Sequence, residues 1–436
     1  MLNACFLGTR YDQRVNINLL YGRGHISVHF PDDRTTVIEP SYLQGLEDET
    51  TAIRHALRSP IGTAPLAELV RRGQTVAISV CDITRPMPSR TLLPVILEEL
   101  AQVPDENIAI LIATGTHRPN DQDELIEMLG ESVVKRYRII NHSAFDDENL
   151  TYLGDVEPQV PVWLNKHWVN ADIRITTGFV EPHFFAGFSG GPKLVAPGLA
   201  GLKTTMRLHD ATMIGHSKAK WGITEGNPIH DAIRRIAAHV GVHFSVDVAI
   251  NKDRDITSLM AGEILEVHKV MSSRVRQSAM QKFPAPFDIV VTTNSGYPLD
   301  QNLYQSVKGM SAAAQVVKPH GTIICAAECS EGLPSHGEYG SLLRQRESPK
   351  ALLEMICTPG HNRHDQWEVQ IQALIQQQAE VFLKADGLSD DTIRAAHLIP
   401  ITDVEATTLE RLNQAGPNGT LCVLPEGPQT IPYLSR

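Results

Sequence analysis

Long hydrophobic runs are missing from this chain of 436 residues. Nowhere do about eighteen apolar residues follow one another, so no segment reads as a membrane span. Residues 1–13 lack the basic stretch and apolar core of a secretory signal. Cysteine is sparse: Cys5, Cys81, Cys325, Cys329, Cys357 and Cys422 are scattered. Only Cys325 and Cys329 lie close, without the paired spacing of a zinc site, and the pattern suits reduced thiols in a cytoplasm. Positive charge is also short. A formal net charge of −11 with no long basic run argues against a nucleic-acid partner. There is no HExxH, no GxGxxG after a strand, no internal repeat and no low-complexity tract.

What the chain does have is apolar mass: 42% hydrophobic against 20% charged residues, the balance of a globular protein that folds unaided. Its length predicts two or three domains, with a ligand cleft between them. The Pro- and Phe-rich texture at Lys282-Phe283-Pro284-Ala285-Pro286-Phe287 places the boundary between a domain of residues 1–280 and one of residues 281–436.

Short alternating runs at residues 15–20 and 26–30 predict strands of a small hairpin or of an edge sheet. From residue 75 onward, apolar strands alternate with helices. The strands are expected at residues 75–80, 107–112, 173–177, 288–292, 321–325 and 421–424. Helices are expected at 90–100, after an Asn120 or Asp121 cap, at 227–241, 339–356 and 367–383. Strands buried on both faces between helices imply an α/β fold with mainly parallel sheets. In such sheets ligands bind beyond the carboxyl ends of the strands. Three strands here deliver Asp82 and Arg85, then His117, then His183 and Lys193, to one such edge. The helix at 227–241 reads as core, with His230 and His239 structural or exposed.

Residues 181–201 hold His183 and Lys193 among five glycines and three prolines, with almost no other charge. Lys193 is either a deprotonated, nucleophilic amine in apolar surroundings or a side chain reaching to water. Tyr304 and Lys308 share a helix face, which fits a carboxylate or phosphate site as well as an ordinary solvated lysine. Two imidazoles on separate strand-end loops suit proton transfer at either side of a substrate. Arg85 and Lys308 suit an anion. Together they describe proton removal and return beside a carboxylate. His183, His209 and His216 lack the tight spacing of a protein-held metal; a site with one protein ligand, the rest supplied by a cofactor, is compatible.

Four motifs, in order and spacing across roughly residues 80–370, resemble the nickel-dependent lactate racemase family. They are Asp82-Ile83-Thr84-Arg85-Pro86; Thr114-Gly115-Thr116-His117-Arg118-Pro119; Glu181-Pro182-His183-Phe184-Phe185-Ala186-Gly187 through Lys193; and Tyr297-Pro298-Leu299-Asp300-Gln301-Asn302 with Tyr304, Gln305 and Lys308. The resemblance implies a racemase or epimerase of a 2-hydroxy acid that uses a nickel pincer nucleotide. This pyridinium mononucleotide would be joined to Lys193, with His209 as the protein's nickel ligand; spacing from Lys193 favours His209 over His216. It also implies that Asp82, Ile83, Thr84 and Arg85 bind the cofactor, that His117 and His183 act on opposite faces of the substrate, and that Arg85, Tyr304, Gln305, Lys308 and Trp367 bind it. Cofactor-synthesis proteins would be partners, and the oligomeric state stays open. The competing readings are a metal- or NAD-dependent 2-hydroxy acid oxidoreductase, a zinc-assisted hydrolase, or a non-catalytic homologue that binds the cofactor.

Overall fold

The computed structural model describes residues 14–41, 43–157, 159–334 and 337–435; Cys5 and residues 1–13 lie outside them. The chain divides into two compact units, one of Ser41–Met280 and one of residues up to Pro40 together with Gln281–Arg436. No described helix is long and apolar enough to cross a membrane.

The first unit is built on a six-stranded sheet. In spatial order its strands are Ile256–Gly262, Phe244–Ile250, Ile173–Phe179, Val76–Cys81, Ile108–Ala113 and Arg138–Asn141. All neighbours are parallel except the Ile256–Gly262 edge, which runs antiparallel to Phe244–Ile250. Val76–Cys81 is buried at every position, as a central parallel strand covered by helices on both faces must be. Each fully buried Val or Ile there stabilises the fold by about 1.5–3 kcal/mol. The core joins Val76, Ile78, Ile110, Ile175 and Val246 to helix residues such as Ile53, Leu93 and Ile96. The chain lays strands outward from Val76–Cys81 in one direction, then returns to start again at its other side with Ile173–Phe179. Between the carboxyl ends of these two strands the connections part, and that is where doubly wound sheets bind ligands.

The second unit carries a six-stranded, all-parallel sheet in the order Ile399–Pro400, Ala379–Lys384, Val317–Ala326, Phe287–Thr293, Leu421–Leu424 and Thr35–Val37. The domain assignment of residues 1–280 is therefore corrected at its start. Thr35–Val37 adds an edge strand to Leu421–Leu424. The hairpin of Arg14–Tyr21 and Gly24–Pro31 places Ile17, Leu19, Val28 and Phe30 in one cluster with Ile289, Val291 and Val423. Local pattern showed the hairpin but not which core it would cover.

Two expected helices also differ. Residues 339–356 form two helices, Tyr339–Leu343 and Pro349–Ile356, because Ser348 caps a new start ahead of Pro349. The helix beginning at Gln366 ends at Gln378, and Ala379–Lys384 is a sheet strand whose Val381, Phe382 and Leu383 are buried. An apolar run that short does not distinguish helix from buried strand. Pro228–Val240 forms as expected: Asn227 accepts hydrogen bonds from the Ile229 and His230 N–H groups, and Gly241 ends the helix at φ 75°.

Candidate active site

The loop after Val76–Cys81 is a tight turn in which the Arg85 N–H donates to the Asp82 carbonyl at 3.1 Å. Asp82 is buried, and its carboxylate has two partners. Thr84 Oγ1 donates to Oδ1 at 2.7 Å, and His117 Nδ1 lies 2.8 Å from Oδ2. Burial pushes the Asp82 carboxyl up, but the His117 hydrogen bond and charge, with Thr84 and Arg85, outweigh it and hold the group below the usual carboxylate range. An ionised Asp82 can only accept, so His117 Nδ1 must carry the proton. In the neutral ring this leaves Nε2 with the lone pair, and the His117 side chain is about half exposed. Arg85 is ion-paired with Glu181, a partner that sequence reading did not single out. Ile83 is half-buried and Thr84 exposed.

His117 sits on the turn after Ile108–Ala113. The following helix begins with a capping box between Asp121 and Glu124. Glu124 also accepts from Arg118 and Asn120, and these contacts, Arg118 first, draw its pKa down to about 2. The stretch carrying His117 is thereby fastened to a helix start.

The segment after Ile173–Phe179 brings the remaining groups together around one ring. His183 is buried and meets Phe185 edge-on at 4.5 Å. His209, also buried, meets the same ring at 5.1 Å, and Lys193 Nζ lies over it at 5.7 Å. Phe185, Lys193 and His209 line one small cavity with Ala186, Pro197, Leu208, Ile229 and Ile233. The sequence motif contained Phe185 without giving it a role; its place as the hub is a tertiary fact. His209 Nδ1–H donates to the Thr205 carbonyl at 2.7 Å, which makes Nε2 its lone-pair nitrogen, the form a metal binds. His183 is set the other way: its Nδ1 accepts from the Ala186 N–H at 3.3 Å, so its proton sits on Nε2. Lys193 lies in the short turn Gly191–Leu194. Leu194 packs against Cys81 and Phe179 and offers its carbonyl to Ser79 Oγ at 2.8 Å. His216, the alternative to His209, is exposed and hydrogen-bonds through Nδ1 to the Lys218 N–H at 3.2 Å.

Gly187 is the most constrained point of this loop. It has φ 82°, and a Cβ there would sit 2.2 Å from the Ile223 carbonyl oxygen. Gly187→Ala is expected to lower unfolding free energy by about 3 kcal/mol in denaturant titration, since both left-handed strain and a backbone clash must be relieved. A change below about 0.5 kcal/mol, the range of ordinary surface substitutions, would contradict this.

In the second unit Asn302 caps the helix Leu303–Ala313, which presents Tyr304, Gln305 and Lys308. Lys308 Nζ donates to Gln305 Oε1 at 2.6 Å, and Trp367 Nε1 donates to the Tyr304 hydroxyl at 3.0 Å. All four expected substrate residues of this unit are thus linked in two pairs. Beside them Glu368 is buried, and burial, only partly offset by the Lys308 charge, raises its pKa above the usual carboxylate range.

Three buried imidazoles beneath the first unit's loops are tuned to stay neutral. Burial is the leading cause in each, lowering His142 and His268 to about 4 and His230 to about 3. An unfolded imidazole titrates near 6.5. Between these values the unfolded chain binds protons the native one refuses. The stability tied to these groups is therefore intact above pH about 6.5 and lost as pH falls toward about 4. At full extent the His142 and His268 shifts are each worth about 3 kcal/mol and the His230 shift about 5 kcal/mol. Denaturant midpoints are expected to decline steadily over that window, and a flat profile from pH 6.5 to 4 would contradict the assignment.

The fold and these residues define a class: a doubly wound α/β protein whose strand-end loops carry an amine, two imidazoles and a guanidinium, with a third imidazole, His209, at the end of the helix Leu202–Leu208. Comparison with known proteins makes the class specific. Residues 21–222 match the lactate racemase N-terminal domain and residues 282–431 the lactate racemase C-terminal domain. The chain is 33% identical over 423 residues to lactate racemase of Thermoanaerobacterium thermosaccharolyticum, covering 95% of this chain and 99% of that one. It is 34% identical over 419 residues to lactate racemase of Lactiplantibacillus plantarum, covering 95% and 98%. The structure of the lactate racemase apoprotein from T. thermosaccharolyticum superposes with a TM-score of 0.89 at 32% identity over 96% of this chain and 100% of that one. A Thermotoga maritima protein at 19% identity shares the fold, with a TM-score of 0.68 over 90% of this chain and 100% of that one. The chain belongs to the lactate racemase family.

Proposed function

We propose that this protein is a racemase of lactate or a close 2-hydroxy acid, working by removal and return of the Cα hydrogen as hydride. The observation that carries the reading is the grouping of His183, His209 and Lys193 around Phe185, with His117 locked by Asp82 on the neighbouring strand end.

The donor set fits the nickel pincer nucleotide. Lys193 and His209 line the same cavity: an amine that can be acylated beside an imidazole whose Nε2 is the metal-binding nitrogen. His209 alone cannot complete a metal's coordination, so the remaining ligands would come from the cofactor. Lys193 would hold it covalently, His209 through nickel, and the Asp82–Arg85 turn through polar contacts. When bound, the cofactor supplies an electrophilic carbon that accepts a hydride and gives it back.

The protein's own groups handle the proton and the orientation. As the Cα hydride leaves, the hydroxyl must lose its proton for the 2-keto acid to form. His117, with its Nε2 lone pair, is set as base, and His183 serves as acid once its ring is protonated to the imidazolium and Nδ1 is released from the Ala186 N–H. On the planar keto acid the hydride returns to the opposite face while an imidazole proton returns to oxygen, inverting the centre with no net oxidation. Arg85, tethered by Glu181, and Lys308, beside Gln305, are each, within its own unit, a cation suited to a carboxylate. In the second unit, Tyr304 and Trp367 are the aromatic side chains that would meet a small substrate.

The test is a panel of single-enantiomer 2-hydroxy acids incubated with protein produced alongside the cofactor-synthesis enzymes and followed by chiral chromatography. L-lactate or a near analogue should approach an equal mixture from either side. Protein that carries the adduct but interconverts none of them would instead be a non-catalytic cofactor-binding homologue.

A further inference from the structure

The loop that carries His183 and Lys193 rests on a layer of buried polar groups from three other elements, and no part of the proposed chemistry uses them. His230, on the helix Pro228–Val240, donates from Nδ1 to the Ala186 carbonyl at 3.0 Å. His268, on the helix Ile264–Ala279, donates from Nε2 to the Ser189 carbonyl at 2.9 Å. Asp247, on the strand Phe244–Ile250, accepts the Gly191 N–H on Oδ1 at 3.1 Å. The two imidazoles stack at 5.2 Å with planes 26° apart, and all three side chains are at most 3% exposed. Gly191 has no room for a side chain because a Cβ would lie 2.5 Å from the His268 ring.

These contacts take hold of the loop at residues 186, 189 and 191, the last only two residues before Lys193. A generic apolar floor would do the same packing without cost, since each buried polar group must be fully satisfied to be tolerated. Asp247 Oδ2 does not even meet that condition: it is buried and has no hydrogen-bond partner. Such groups make sense where backbone must be fixed in one place.

We propose that His230, His268 and Asp247 are positioning residues that pin the reactive loop's backbone at three points, so that the Lys193 amine and the His183 ring keep one fixed relation. The imidazoles work as neutral donors in opposite tautomers, Nδ1–H for His230 and Nε2–H for His268. The charged groups that bear on the pair are Lys193 on the loop and Arg234 on His230's own helix. Both are cationic, so a second proton on either ring is opposed from both sides and would remove no donor already in use. The role rests on the reading of Lys193 as the attachment residue, but its geometry can be tested without cofactor.

Amide hydrogen exchange on cofactor-free protein is the experiment. His230→Phe and Asp247→Leu remove a donor and an acceptor at similar volume. Each is expected to raise exchange at least tenfold across residues 186–193, while the sheet strands Val76–Cys81 and Ile108–Ala113 stay protected. His230→Asn, His268→Gln and Asp247→Asn keep a donor or acceptor near the original atom and should exchange like the parent. Unchanged loop exchange in the first pair, or equal loss in the isosteric set, would overturn the proposal. Should the disruptive variants fail to fold, imidazole nitrogen NMR of the parent decides it: two neutral rings of opposite tautomer support pinning, and two of the same tautomer refute it. In co-expressed protein the first pair should also cut the fraction of chains with a Lys193 adduct about tenfold. If even the parent carries no adduct, the cofactor reading fails, while the exchange result still judges the positioning role.

Discussion

Lys193→Ala is expected to abolish racemase activity and, in the same preparation, the covalent mass increment on the purified protein. The amine stands in the cavity that His209 also lines, and no other described cation shares it. Lys193→Arg sharpens the point. It keeps the charge over Phe185, but a guanidinium is a poor nucleophile and stays protonated. Its adduct and activity should be lost as completely as in the alanine variant. Both variants should melt within a few degrees of the parent, since a single half-exposed side chain contributes little to the surrounding core. An adduct that survives in Lys193→Ala would place the attachment on a different residue.

The second large effect separates chemistry from cofactor loading. His117→Asn and His183→Asn should each lower kcat by about 10²–10⁴, the range lost when a positioned proton-transfer group is removed. Both should keep the adduct, because neither residue lines the cavity of Lys193 and His209. Asp82→Asn tests how His117 is held. An amide at position 82 can donate to Nδ1, which favours the tautomer with its proton on Nε2 and takes away the base. Its kcat should fall while KM changes little. A parent-like kcat in His183→Asn would remove the two-histidine scheme.

Much of this arrangement is legible in the sequence because it is local. The Val76–Cys81 and Ile108–Ala113 strands are runs of branched aliphatics. The Pro228–Val240 helix has its cap, first-turn proline and terminal glycine in register. The residues that follow each strand end are fixed once the strands are known, which is why His117, His183 and Lys193 could be named together. What could not be read depends on contacts between residues far apart in the chain. Nothing near His268 says that it reaches back 79 residues to Ser189, or that Asp247 meets Gly191 56 residues away. Phe185 looks like any motif aromatic until His209 packs on it. The edge strand Thr35–Val37 pairs with a strand nearly four hundred residues later, and the Val381–Leu383 run is too brief to declare itself a strand on periodicity.

In the proposed mechanism the Cα hydrogen of the substrate leaves and returns as one hydride held within the site, with histidines moving only the hydroxyl proton. Racemising L-lactate deuterated at Cα in ordinary water, with cofactor-loaded protein, measures this directly by mass spectrometry of the separated enantiomers. The expected product is D-lactate that retains its deuterium. D-lactate carrying solvent hydrogen at Cα would contradict it, for that outcome requires proton abstraction by a base in exchange with water.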